Sequence, residues 1–187
     1  MTVQELDSPL KVLYERIAPF TGPDPEMDSI ASALADLGMD DEYGSYVLSQ
    51  VEPGSLKQVH VPEQGPALLV VYSGPGRIPP IHSHRTWAAL APITGVETHR
   101  QYELVDHTHE RATLRKIDER RVTKGQTVTI TPPRDIHDHG HIEGTGDPAC
   151  FFVLTGINQL IHPREQYVYP EGPYRIIEPG RFYAPKE

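Results

Sequence analysis

The spacing of hydrophobic positions changes once along the chain, near residue 43. Before that point it has a helical period. Leu10, Leu13, Tyr14 and Ile17 follow Ser8-Pro9, a capping residue with a proline in the first turn. Met27, Ile30, Ala31, Leu34 and Leu37 form a second stripe, which opens at Asp24-Pro25 and is expected to stop at Gly38. Beyond residue 43 short β-rich runs take over: SYVLSQV, SLKQVHV, PALLVVYSG, VETHRQYEL, RATLRKID, QTVTITPP and ACFFVLTGI, several bounded by Pro-Gly or Gly-Pro breaks. Strands at this spacing predict an all-β sandwich or barrel preceded by α-helices. The last stretch, from residue 163, is rich in Tyr and Pro without clear periodicity. It is read as an extended arm on the domain surface or on a neighbouring subunit. The expected organisation is one domain in all: a helical segment over 1–42, a barrel over 43–162 and an arm over 163–187.

Composition narrows the class. Nineteen prolines and fifteen glycines without a repeat suit many tight turns rather than a helical bundle. A net charge of −9, with 17 basic against 26 acidic residues and no basic block, argues against nucleic acid or an anionic membrane as partner. No apolar run is long enough to span a bilayer, and the N-terminus lacks a signal-peptide layout. The lone Cys150 allows no internal disulfide and reads as a small buried apolar residue. These features predict a cytoplasmic protein, monomeric or homodimeric.

Ten histidines are more than such a chain needs, and most lie between His82 and His162. In PIHSHRTW, residues 80–87, His82 and His84 share one face of a strand. They form either a polar stripe facing solvent or half of a metal site. IHDHGH, residues 136–141, offers His137, with His139 and His141 at the same parity. His139 and His141 are left as residues of the barrel mouth, neighbours of a site, or surface. His99, His107 and His109 are expected on solvated surface around a hairpin turn. Trp87 is expected to pack between sheet and helices, and Arg85 to form a structural ion pair.

These segments resemble the cupin superfamily. Five residues separate Gly76 from His82-Ser-His84, Gly95 closes the first motif, and Gly125, Pro132 and His137 follow the second, with Arg134 where that motif has glycine. The resemblance implies a cupin jelly-roll barrel with His82, His84 and His137 converging on one metal ion. The motif's carboxylate ligand falls on Ala88 or Ala89, so it is missing. Within cupins, GPGRIPPIHSHRTWAAL and PPRDIHDH are similar to the thiol dioxygenases, the family of cysteine dioxygenase and 3-mercaptopropionate dioxygenase. That similarity implies an Fe(II) enzyme with a small-molecule thiol and O2 as substrates. Three neutral histidines hold the iron, the substrate thiolate supplies the anionic ligand, and the product is a sulfinic acid. The chain departs from the family where a Ser-x-His-x-Tyr relay is expected: Val153, Thr155 and Ile157 occupy those positions, leaving Thr155 one hydroxyl. For the substrate carboxylate the family suggests Arg164, with Lys57 or His60 as alternatives. Two other readings stay open: a three-His cupin oxidising or isomerising a non-thiol chelating substrate, and a non-catalytic ligand-binding module.

Overall fold

In a computed structural model, residues 8–22, 24–74, 80–140, 148–159 and 161–178 are described. Three helices come first: α1 (Ser8–Ile17), α2 (Met27–Met39) and α3 (Asp41–Leu48). Helix α1 buries Leu10, Leu13, Tyr14 and Ile17, as its spacing predicts. Helix α2 buries Ile30, Leu34 and Leu37 but starts later than expected, with Glu26 at its N-cap. Gly38 lies inside this helix and does not end it. A Cβ there would come within 3.1 Å of the Pro92 carbonyl, so glycine lets the helix approach the sheet. The segment SYVLSQV is largely helical, not a strand. The Asp40 side chain accepts the Tyr43 backbone N–H at 2.9 Å and caps α3, whose Tyr43 and Val47 face inward at helical spacing. The barrel therefore begins at residue 55 rather than 43.

Among the described residues twelve strands follow: β1 (Ser55–His60), β2 (Ala67–Tyr72), β3 (Ile81–Ser83), β4 (Ala88–Thr94), β5 (Val96–His107), β6 (Arg111–Thr123), β7 (Val128–Ile130), β8 (His137–Gly140), β9 (Cys150–Thr155), β10 (Arg164–Tyr167), β11 (Glu171–Pro173) and β12 (Arg175–Ile177). They form two sheets, ordered β1-β2-β9-β4-β7 and β11-β6-β5-β8-β3-β10-β12, with every pairing antiparallel. Successive strands cross repeatedly between the sheets. This is the all-β, jelly-roll type of barrel with N-terminal helices that the sequence predicts.

Strand alternation separates two cores. On β9, Cys150, Phe152 and Leu154 face the helices, while Phe151 and Val153 face the barrel interior. On β4, Ala89, Ala91 and Ile93 face outward and Ala88 and Leu90 inward. Trp87 joins the helix-facing core, and Cys150 is fully buried there, its thiol pushed up to about 12 by burial. A third cluster, Tyr102, Ala112, Leu114, Ile136 and Tyr167, covers the outer face of the second sheet.

The C-terminal stretch is part of the barrel, not an arm laid over it. Strand β10 pairs with β3, Gln166 opposite His82, and β12 extends the sheet, while β11 pairs with β6 at its far edge. Residues 179–187 of the expected arm lie outside the described residues, as do Gly76 and His141. No helix among the described residues is long and apolar enough to cross a membrane.

Candidate metal centre

Neighbouring strands β5, β8 and β3 bring the histidines together. His82 is directly opposite His137 across the β3–β8 pair, and His99 is opposite His139 across β5–β8. Alternation then places His82 and His84 on the inner wall beside His137 and His139. Ring centroids are 4.8 Å apart for His82 and His84, 4.5 Å for His82 and His137, and 5.0 Å for His84 and His137. The three histidines expected from the sequence therefore converge. The tightest set of ring nitrogens, however, is that of His82, His137 and His139, all within 4.8 Å of one another.

Backbone carbonyls orient two of these rings. His82 Nδ1 donates to the Pro80 carbonyl and His137 Nδ1 to the Asp135 carbonyl, each at 2.9 Å. A carbonyl only accepts, so both rings carry their proton on Nδ1 and keep Nε2 as a lone-pair donor. Such contacts are the usual outer support of metal-binding imidazoles. Between His137 and His139, Asp138 points to the outer face. There its carboxylate accepts from Arg100 Nη1 and from the Tyr102 hydroxyl, both at 2.8 Å. The Asp135 carboxylate accepts the Arg85 backbone N–H at 2.8 Å, tying the turn after the His82 strand to the start of β8.

Electrostatics favour neutral rings. Burial pushes His137 down to about 4, and it holds His82, His84 and His139 well below the usual imidazole range. Neutral imidazole is the form that binds metals. Both nitrogens of His84, Nε2 of His137 and Nδ1 of His139 are buried without a hydrogen-bond partner among the described residues. Buried polar atoms are rarely left so. A set of imidazole donors with unused lone pairs fits a transition metal such as iron, zinc, copper or nickel. No carboxylate enters from β4, where Ala88 faces the interior.

A cavity opens onto the cluster. His82, His84, His139, Gln159, Arg164 and Gln166 line one side, and Leu56, Leu69, Val71, Val153 and Ile177 form an apolar wall. Arg164 reaches the cavity because β10 pairs with β3: Arg164 and Gln166 face inward while Glu165 faces outward. Its charge contributes to the lowering of His82, His84 and His139. Gln159 Nε2 donates to the His84 backbone carbonyl at 3.1 Å.

Other sequence-predicted residues lie elsewhere. His60 follows a bulge in β1 and packs edge-on against Tyr14 of α1 at 4.7 Å, on the helix-covered face. Lys57 does not line the cavity. Thr155 is fully buried, and its hydroxyl donates to the Ile157 carbonyl at 2.8 Å. It faces structure rather than the cavity. Arg85 does form an ion pair, with Glu165, which also accepts from Ser83, Tyr167 and Tyr174.

His99 is the main correction. Expected on the surface, it is fully buried and stacks on His137 at 5.3 Å. The hairpin turn after β5 comes only at residues 108–110, so the start of β5 runs along the barrel interior. His107 and His109 are exposed as expected. Glu97, which the sequence reading passed over, shares the inward face with His99 and is fully buried. The two-residue spacing of Glu97 and His99 was the available signal.

No protein-family model matches the chain, and no curated protein matches it. Solved structures of similar shape are double-stranded β-helix and cupin proteins. An uncharacterized conserved protein with a double-stranded β-helix domain from Klebsiella pneumoniae is 15% identical, with a TM-score of 0.47, over 65% of this chain and 88% of that one. A hydroquinone 1,2-dioxygenase solved with Cd2+ and 4-hydroxybenzonitrile is 9% identical, with a TM-score of 0.45, over 62% of this chain and 74% of that one. An RmlC-like cupin family protein from Methanocaldococcus jannaschii is 16% identical, with a TM-score of 0.39, over 56% of this chain and 80% of that one.

Proposed function

We propose that this chain is a mononuclear Fe(II) dioxygenase that converts a small acidic thiol and O2 to a sulfinic acid. The observation that carries the reading is the joint presence of clustered neutral imidazoles, an inward Ala88 in place of a ligand carboxylate, and Arg164 on the wall of the same cavity. A site whose protein ligands are all neutral favours a substrate that brings its own anion, as a thiolate does. Iron held by these histidines would supply O2 activation and affinity for a thiolate.

The chain's own residues do the rest. His82, His84 and His137 present ring nitrogens, with the rings of His82 and His137 held by backbone carbonyls. The Arg164 guanidinium takes the substrate carboxylate in a two-pronged contact, which sets the distance between acid group and sulfur. Leu56, Leu69, Val71 and Val153 exclude water around the short apolar body of the substrate. Gln166, inward on β10 beside His82, hydrogen-bonds a polar substituent.

The apolar wall, with Val153 in the first relay position, also supports a second reading. In it a non-thiol chelating acid is oxidised or isomerised at the same centre.

Metal content combined with oxygen consumption tests both readings. Near-stoichiometric iron and thiol-dependent oxygen uptake with 3-mercaptopropionate, cysteine or mercaptosuccinate are expected. Iron-loaded protein that consumes oxygen only with enols or phenols transfers the assignment to the second reading. Wild-type protein that binds no iron removes both and leaves a ligand-binding module.

A further inference from the structure

We propose that His139, held by Glu97, is a fourth imidazole ligand beside His82, His84 and His137, with the missing carboxylate supplied one residue further out. The inference rests on the metal-centre reading and extends it to residues outside the cupin motif positions. Three observations carry it.

First, His139 belongs to the tightest convergence of ring nitrogens in the described barrel and lines the cavity, with ring centroids 5.5 Å from His137 and 5.8 Å from His82. Second, its ring has a close neighbour on each of the two sheets. Phe151 on the opposite sheet meets it edge-on at 5.0 Å, and Glu97 Oε1 faces its Nδ1 at 3.8 Å. Third, that facing pair is otherwise unexplained. Both Glu97 oxygens and His139 Nδ1 are buried without a partner among the described residues, and a buried carboxyl without a donor is costly.

Coordination through the other ring nitrogen of His139 would fix the proton on Nδ1, the nitrogen that faces Glu97 Oε1. One contact then satisfies two stranded groups. It also explains why Ala88 is tolerated. With four imidazole donors no carboxylate from β4 is needed to complete the protein's ligand set, and Glu97 stands one imidazole away as a partner for His139 Nδ1. His99 does not share this role, since it lies outside the convergent set and off the cavity.

The test loads full-length protein with Co(II) and counts coordinated imidazoles by their strongly shifted ring N–H proton signals. Wild type is expected to show four and His139→Gln three. Glu97→Gln is expected to keep four signals, to move only the one lost in His139→Gln, and to weaken Co(II) binding about 10- to 100-fold, as losses of outer-shell partners do. A purely structural role for Glu97 would not move a single ring signal selectively. Three signals in wild type, or an unchanged count in His139→Gln, overturns the fourth ligand and leaves a three-histidine centre standing. If His139→Gln does not fold, the wild-type count decides alone. Unchanged signals and affinity in Glu97→Gln overturn the role given to that residue. Wild type that binds neither Co(II) nor Fe(II) overturns the metal-centre reading and this inference together.

Discussion

The two sheets of the barrel face each other across one interior and are built on opposite rules. The β1-β2-β9-β4-β7 sheet is apolar on both faces, with Phe152 and Leu154 against the helices and Leu69, Leu90 and Phe151 toward the interior. The opposing sheet turns His82, Glu97, His99, His137 and His139 toward the same interior, several with no partner of their own. Burying such groups costs free energy. The first sheet and its helices offset that cost by apolar burial, so one wall carries stability and the other carries chemistry.

Five experiments press on that division. Phe152→Ala, on the stabilising wall, is expected to cost about 3–5 kcal/mol by urea denaturation, the usual loss for a large aromatic in a packed core. Its iron stoichiometry below the transition should match wild type, and loss of iron in folded protein would show that the walls are not separate. His137→Ala, on the chemical wall, should weaken iron binding by more than about 100-fold, beyond the range typical of outer-shell changes. Its urea midpoint should move far less than that of Phe152→Ala, and isothermal titration with a chemical denaturation curve reads both.

Arg164→Ala should lower kcat/KM for an acidic thiol by about 10- to 100-fold, mostly through KM, because a guanidinium fork is lost. Arg164→Lys should not restore it, since an ammonium cannot make the same two-pronged contact. Equal kinetics for the acidic thiol and an uncharged one would remove Arg164 from substrate recognition.

Glu165 tests the outer face of the same sheet. Burial alone would raise its carboxyl. Hydrogen bonds from Arg85, Tyr167 and Tyr174 outweigh burial and hold it at about 2, below its ordinary 4.5. A carboxyl lowered on folding stabilises fully above its unfolded value, and that contribution fades as pH falls toward the folded one. Wild type should therefore exceed Glu165→Gln by about 1.5 kcal/mol at neutral pH, and the gap should close between roughly pH 4.5 and 2. A gap independent of pH would assign the effect to packing.

The smallest expected effect belongs to His99→Leu. Replacing a buried ring with no hydrogen-bond partner by an apolar side chain should leave metal-free stability within about 1 kcal/mol or raise it. A loss several times larger would mean that His99 has a partner of its own.

The legible parts of this protein share a physical basis. Helices α1 and α2 were readable because each buries one stripe against one surface, and local spacing records that stripe. The histidines 82, 84 and 137 were readable because parity along a strand and motif glycines place them without knowledge of distant contacts. Helix α3 was missed because SYVLSQV is short and apolar enough for either structure, and the Asp40 cap decides between them. The C-terminal strands were missed because a four-residue segment carries almost no periodicity. They become strands only because β3 leaves an edge to be paired.

The sequence alone pointed to an all-β sandwich or barrel under a helical cover, because alternation and turn chemistry act locally, and the family resemblance added the expectation that His82, His84 and His137 converge. Only the tertiary structure decided that Glu97, His99 and His139 are interior and that Arg164 reaches the cavity. Each of those outcomes depends on which strand lies beside which: β5 against β8, and β10 against β3. Pairing between segments distant in sequence is set by the closure of the whole barrel, and no local pattern records it.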